Sequence, residues 1–412
     1  MVRIWNKHKQ SNTPLKRKVF VMLSGGVDSS VAAALLKERG FDVVGVHIKM
    51  WSDPEIPCNF KEDRYDAMRV AAHLDIPFAT WDLTEEYKKE VVAYMIREYA
   101  VGRTPNPDVM CNREIKFGAF FRRAMAEGAD FVATGHYVRL GQNAKLKMQN
   151  EECKIKNVER GIQYSRFFLN QAKDLNKDQS YFLWTLTQAQ LRHCLFPLGE
   201  YTKPEVREMA RKFGLSNAEK PDSQGICFIG EIDLCAFLKK YIPERRGAVV
   251  TTSGKAVGKH EGTEFYTLGQ RRGMSIGGGV PYYVAQKNEE TNTLVVAEGP
   301  YDQKLFTREI TVRDMHWISG VEPKLPLACM ARIRYRQPLQ KAKIINAKCQ
   351  MLKKEKRVTS PVLFSIQHSS FIITFDEPQR AATPGQSAVF YSGDSCDSAE
   401  DAEMLGGGII CS

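Results

Sequence analysis

Apolar positions in the first half of the chain alternate between a strand period and a helix period. Lys18–Leu23 (KVFVML) is a short apolar run that ends in Ser24-Gly25-Gly26, a turn. From Ser29 to Arg39 the apolar residues Val31, Ala32, Leu35 and Leu36 fall on one helical face, and Gly40 supplies a stop. Asp42–Trp51 reads as the next strand, Asp63–Leu74 as a helix ahead of Pro77, and Phe78–Leu83 as a third strand. Helices over Glu85 to Tyr99 and Ile115–Glu127 precede a fourth strand, Phe131–Thr134. Strands separated by amphipathic helices of this length predict βαβ units, a parallel sheet and an open, doubly wound α/β fold. Ligands in such sheets bind beyond the carboxyl ends of the strands, and Gly25, Cys111 and Gly135 lie in or beside segments at that edge.

The pattern then changes. Residues 141–178 are polar, rich in Lys, Asn and Gln, and weakly periodic, which reads as a long excursion at the sheet edge. Helical stretches follow over Asp178–Leu191 and Lys203–Phe213. After about residue 245, short β-rich runs (Ala248–Thr252, Pro281–Ala285, Thr293–Ala297) alternate with glycine clusters. From Phe306 onward the chain is β throughout, with strands expected at Glu309–Val312, Cys329–Arg336, Lys341–Ile345, Val362–Ile366, Phe371–Phe375 and Ser387–Tyr391. Short strands at this spacing predict a small barrel or sandwich.

Composition narrows the class. A chain of 412 residues, 43 % hydrophobic and 26 % charged, has material for two or three packed domains and excludes a collagen, a coiled coil or a disordered chain. It contains no apolar run of about 18 residues, so a membrane-spanning helix is not expected. The net charge of +11 is uneven: residues 1–18 hold six Lys/Arg and no acid, and residues 331–358 hold ten against Glu355 alone. Two basic surfaces flanking a nearly neutral body fit a polyanionic partner or, more plainly, a solvated basic face. Residues 1–18 lack the apolar stretch of a secretory signal and read as a disordered basic arm or a short organellar presequence. The ten cysteines form no CxxC and no zinc-ligand spacing, so most should be small buried hydrophobes in a reducing compartment, and no metal site is expected.

Three clusters carry chemistry. Ser24-Gly25-Gly26-Val27-Asp28-Ser29-Ser30 lies between a strand and a helix, where two glycines and hydroxyl donors beside a helix N-terminus form a pyrophosphate cradle. It is no Walker loop; the nearest string, Gly254 to Lys259, is one residue short and follows no clear strand. In Asn106-Pro107-Asp108-Val109-Met110-Cys111, two prolines fix the backbone ahead of a cysteine that opens a helix near Asn112, a setting that favours a thiolate, although a buried inert thiol is the usual state. Cys227, in a loop between Gly225 and Gly230, is expected to be accessible.

The string SGGVDSS resembles the signature of the PP-loop ATP pyrophosphatases. With GRTPNPDVMCNREIKFG (102–118), ATGHY (133–137), KDQSYFL (177–183), GICFIG (225–230), YTLGQRRG (266–273) and IRYRQ (333–337), the chain resembles the tRNA-specific 2-thiouridylases from about residue 18 to the end. That resemblance implies a basic arm (1–17), a PP-loop domain (18–229), a small central domain (230–304) and a C-terminal β-barrel (305–412). It implies adenylation by ATP, accompanied by Mg²⁺, of the C2 oxygen of the tRNA wobble uridine, then sulfur transfer from a cysteine persulfide. Met22, Leu23, Ser24, Gly25, Gly26, Val27, Asp28 and Ser29 would hold the phosphates, with backbone near Ile48 and Gly135 against the adenosine. Ile48 stands where a methionine is expected, a neutral change if the main chain makes the contact. Cys227 would carry the persulfide, Cys111 would be the partner thiol and Asp108 the acid/base. Asn106, Pro107, Asp108, Lys177, Asp178, Gln179, Arg334 and Tyr335 would meet the tRNA, and the basic barrel strands, Arg332 and Arg336 among them, its backbone. The partners implied are tRNA for Lys, Glu and Gln and a persulfide donor, a cysteine desulfurase or a sulfur relay. The protein is expected to be a monomer in the cytoplasm, the mitochondrial matrix being the alternative. Two other readings stay open: a small-molecule synthetase of the same superfamily, and an RNA-binding relative without catalysis.

Overall fold

The structure is a computed structural model that describes residues 16–53, 59–143, 166–221, 234–274, 276–277, 279–347, 370–393 and 402–411. Cys58, Cys153, Cys227, Cys349, Cys396 and the strand expected at Val362–Ile366 lie outside those residues.

The N-terminal half forms the expected parallel sheet. β1 (Lys18–Met22), β2 (Asp42–Lys49), β3 (Phe78–Asp82) and β4 (Phe131–Ala133) alternate with helices, notably α1 (Val27–Glu38) and α2 (Phe60–His73). β5 (Arg139–Asn143) and β6 (Arg166–Asn170) form an antiparallel ribbon at the root of the polar excursion, and β7 (Cys194–Leu195) completes the sheet in the order β3-β2-β1-β4-β7. The period of two decides which face each residue serves. Val19 and Val21 pack under α1 and α2, whereas Phe20 and Met22 face the opposite layer. The strand order reverses between β1 and β4, so a crevice opens at their carboxyl ends.

Two β units follow. β8 (Gly247–Thr251), β9 (Ala256–His260), β10 (Tyr282–Asn288) and β11 (Thr293–Glu298) form a four-stranded sheet. β12 (Phe306–Trp317), β13 (Leu327–Arg332), β14 (Gln340–Asn346), β15 (Phe371–Arg380), β16 (Ser387–Tyr391) and β17 (Met404–Ile410) close into a six-stranded barrel. The barrel interior has its own apolar core. A second cluster is continuous from Phe20 and Val46 through Phe237 and Val249 to Met330 and Val389, so all three units share buried surface.

Several expectations need correction. Asp178–Leu191 is not one helix but a single turn at Ser180–Phe182 and a short helix at Gln188–Leu191. Tertiary bonds win there: Tyr181 Oη donates to Ser387 O (2.9 Å) and Trp184 Nε1 to Ser387 Oγ (3.0 Å). The strand expected to reach Arg336 ends at Arg332, and Arg336 adopts a turn conformation with φ +62°. Gly254–Lys259 does follow a strand: it is the turn and return strand of the β8–β9 hairpin, with no helix after it. β17 was not expected, because its glycines hide a strand pattern. A methyl group at Gly407 would sit 2.7 Å from Trp184 Cγ, so the glycine lets that indole lie on the barrel.

Candidate active site

The turn after β1 closes on itself. Ser24 N–H donates to Ser29 Oγ (3.1 Å), and the hydroxyls of Ser29 and Ser30 donate to Gly26 O (3.1 and 2.8 Å). Gly25 has φ +85°, and a methyl group there would sit 2.3 Å from Asp63 O, so no other residue fits. Gly26 precedes α1 without a side-chain cap, which leaves the first-turn amides of a 12-residue helix open toward an anion. Gly135, after β4, comes close from across the crevice: a methyl group on it would lie 2.7 Å from Ser29 N. Met22, Leu23, Val27 and Ile48 are buried behind this loop, and Ser24 is exposed. A phosphate chain fits the cradle in charge and in room for close backbone approach.

Side chains from distant segments brace the loop. Asp28 accepts from Tyr137 Oη (2.8 Å) and Lys203 Nζ (2.7 Å). Asn217 Nδ2 donates to Gly25 O and to Ser30 Oγ, each at 3.0 Å. Lys220 bridges Asp63 and Asp66 at 2.6 Å each. Sequence reasoning missed Lys203, Asn217 and Lys220; the only available signal was that Lys220 directly precedes the loop carrying Cys227. His136, for which an active-site donor and a structural role were both open, is buried between Thr134 Oγ1 (2.7 Å) and Lys116 Nζ (3.5 Å). Burial, with Lys116 adding to it, holds its pKa well below the ordinary value, so it is neutral. Phe120 is core, as expected.

Asn106 caps a helix that starts at Pro107, its Oδ1 accepting from Val109 N–H (3.2 Å). Cys111 therefore does not open the helix. It lies beyond the first turn, where the field of the helix end has faded, and it is 1 % exposed. From Cys111 to Phe120 the turns widen to an i→i+5 pattern, a feature found often at functional sites. Asp108 is half-buried in the first turn.

The KDQ segment has another task for its aspartate. Asp178 is 1 % exposed and accepts from Ala172 N–H (3.1 Å), Ser180 Oγ (2.9 Å) and Arg332 Nη1 (3.1 Å). The expectation that its carboxylate meets tRNA is corrected, because the carboxylate is enclosed by these donors. Arg332 is buried too, its guanidinium 4.9 Å from the Tyr391 ring, so it does not reach an RNA backbone. Gln179 Oε1 accepts from Tyr137 N–H (3.0 Å), while Lys177 is half-buried. Arg334 is held by Leu268 O (3.1 Å), Ala381 O (2.9 Å) and Thr383 Oγ1 (3.3 Å). Tyr335 packs on Phe182 at 4.6 Å, and Arg336 is the exposed arginine of the three.

Family models match the chain end to end: "tRNA methyl transferase HUP domain" over 17–231, "tRNA methyl transferase PRC-barrel domain" over 235–298 and "Aminomethyltransferase beta-barrel domain" over 307–359 and 345–410. The chain is 44 % identical to a tRNA-specific 2-thiouridylase of Thiobacillus denitrificans, over 96 % of this chain and 100 % of that one. It is 42 % identical to one of Streptococcus mutans (96 % and 95 % covered) and 41 % identical to one of Geobacillus thermodenitrificans (97 % and 96 %). The chain belongs to the tRNA-specific 2-thiouridylase family. Its PP-loop unit supplies a nucleotide site of the kind that uses ATP. Around that site the fold gathers the SGGVDSS loop and Gly135. Asn106–Asp108 and Lys177–Gln179 are instead joined through the barrel, for Tyr181 Oη reaches Ser387 O and Gln386 reaches Pro105 O.

Proposed function

We propose that this protein is an ATP-dependent tRNA-uridine 2-sulfurtransferase that converts the wobble uridine to 2-thiouridine. The observation that carries the reading is the likeness, at 41–44 % identity over nearly the whole chain, to proteins named tRNA-specific 2-thiouridylase. The self-closed anion loop at the sheet crevice supports it. The open amides at the start of α1, with Ser24 and Ser29, hold the phosphates of ATP and its Mg²⁺, and backbone near Ile48 and Gly135 meets the adenosine. The division 18–229, 230–304 and 305–412 separates the catalytic, central and tRNA-binding parts.

The C2 oxygen of uridine is a poor leaving group, and adenylation converts it into AMP. Asp108, beside the target base with Asn106 and Pro107, moves the proton. The terminal sulfur of the Cys227 persulfide attacks C2, and the C2–O bond breaks as AMP leaves. The Cys111 thiolate then attacks the Cys227 sulfur. The S–S bond to the transferred sulfur breaks, 2-thiouridine is released, and a Cys111–Cys227 disulfide forms; a cellular dithiol supplies two electrons to reduce it. The base is taken from an anticodon loop, where extrusion breaks no duplex pair. Lys177, Gln179, Arg334 and Tyr335 lie along the approach of the tRNA, of Lys, Glu and Gln type. A desulfurase or a sulfur-relay protein loads Cys227, and the protein works as a monomer in a bacterial cytoplasm.

The test is a thiolation assay with unmodified tRNA, ATP, Mg²⁺ and a persulfide donor, read as retardation of thiolated tRNA on a mercury-containing gel. A shift that needs ATP and is abolished in Cys227→Ser and Cys111→Ser is expected. Pyrophosphate release without a shift would retain the adenylation half and remove the sulfur roles. Neither signal, with tRNA still bound, would establish a binding protein instead.

A further inference from the structure

The segment ahead of the Asp108 helix has a backbone problem. Pro105 and Pro107 bring no N–H, and the carbonyls of Thr104 and Pro105 precede the cap at Asn106, so no helical amide reaches them. A single amide from the barrel answers both: Gln386 Nε2 donates to Thr104 O and to Pro105 O, each at 3.0 Å. Next to it, Thr104 N–H donates to Pro384 O (2.9 Å). Gly385 lies so close beneath, at φ +95°, that a methyl group would come within 2.7 Å of Thr104 O. From the other side, Thr104 Oγ1 meets Thr267 Oγ1 of the central unit at 3.1 Å.

The clamp is itself rigid. Gly385 N–H donates to Ile410 O and Ile410 N–H to Gln386 O, both at 2.9 Å, so β17 holds the turn on each side. Arg334 ties the same turn, through Ala381 O and Thr383 Oγ1, to Leu268 O of the central unit. Arg313 of β12 reaches Glu98 at 3.6 Å, and Glu98 pairs with Arg103 at 2.6 Å, so the residue before Thr104 is fixed from the barrel too.

We propose that Gln386 is a positioning residue: its amide sets the Thr104–Asn106 backbone, and through it the place of Asp108, so the barrel completes the active site besides any contact it makes with RNA. The inference rests on the role given to Asp108 above. A buried amide bridging two carbonyls that have no other donor leaves both unsatisfied when it is lost. Gln386→Glu sets a carboxylate against two carbonyl oxygens, and Gln386→Met keeps the length without a donor.

The experiment measures single-turnover thiolation at saturating tRNA and ATP, tRNA affinity by filter binding, and amide exchange over residues 103–111, for wild type, Gln386→Met and Gln386→Glu. At least a tenfold slower thiolation is expected, with tRNA affinity within twofold and faster exchange confined to that segment. In an Asp108→Asn background the same substitutions add less than twofold, because both act at one point. Equal slowing in both backgrounds, a matching loss of tRNA affinity, or unchanged exchange would overturn the proposal. If wild type does not thiolate tRNA at all, the functional reading fails, and the exchange comparison still decides whether Gln386 sets the loop. Should Gln386→Glu not fold, Gln386→Met carries the test, with Thr267→Val weakening the clamp from the other side.

Discussion

Two loops at the sheet edge are built in opposite ways. The Ser24–Ser30 turn is closed by bonds between residues two to five positions apart, and distant side chains only brace it. The Arg103–Asp108 segment takes its shape from partners 163 to 282 residues away, in two other units. The first needs only the α/β sheet to exist. The second exists only when all three units are docked. A nucleotide site that forms early and a tRNA-side site that forms last would couple sulfur chemistry to complete assembly, while ATP binding would not depend on it.

Undocking the barrel should separate the two loops most sharply. Asp178→Ala leaves Arg332 buried without its partner, and breaking a buried pair costs about 3–5 kcal/mol. The expected outcome is a lower thermal midpoint and lost thiolation, with ATP binding retained by the sheet. The pair Asp178→Leu/Arg332→Met should recover much of the stability, since matched apolar side chains leave no charge stranded. Loss of ATP binding in Asp178→Ala at a temperature where the sheet stays folded would break the comparison.

The converse change is Gly25→Val. It forces a side chain into left-handed backbone against the Asp63 carbonyl, a strain of about 1–3 kcal/mol confined to the nucleotide loop. ATP-dependent pyrophosphate release should vanish, whereas amide exchange over residues 103–111 should stay at the wild-type rate.

These differences also explain what could be read in advance. SGGVDSS was legible because its bonds are local and its glycines have one steric meaning. KDQSYFL was legible as a motif but not in its role: Asp178 answers to Arg332, 154 residues on, and Ser180 Oγ to Tyr391 Oη at 2.8 Å. An expected helix there gave way because Tyr181 and Trp184 bond to the barrel. β17 escaped notice because Gly406-Gly407-Gly408 looks like a linker, yet those positions lack side chains so that Trp184 and Val312 can approach. Cys111 was placed near the right helix but at the wrong depth, since the Asn106 cap moved its start back by one turn.

A smaller effect should appear on the central side of the clamp. Lys287 Nζ donates to Tyr266 O (2.7 Å), beside Thr267, and burial pulls its pKa from 10.5 down to about 8. Between those values the unfolded chain holds a proton that the folded protein has released, so stability rises with pH across that window. Below it, the folded protein carries a poorly solvated cation. Thermal midpoints of wild type relative to Lys287→Met should therefore climb from pH 8 to 10.5 and flatten below. A flat difference across the window would show the amine to be solvated.

The smallest change expected distinguishes a basic surface from a basic interior. Three arginines lie within five residues, but Arg332 faces Asp178, Arg334 faces three oxygens of the clamp, and Arg336 is exposed beside Tyr335, its guanidinium 5.2 Å from the ring. Phosphate contacts release counterions, so each one lost lowers the slope of log affinity against log salt by about 0.7–0.9. Arg336→Ala should reduce the slope by about one such step and leave the thermal midpoint where it is. Arg332→Met should do the reverse, lowering the midpoint without touching the slope. Were Arg332→Met to change the slope instead, tRNA binding would have to open the Asp178 pair, and the barrel would be a moving part rather than the fixed wall that the Asp108 loop leans on.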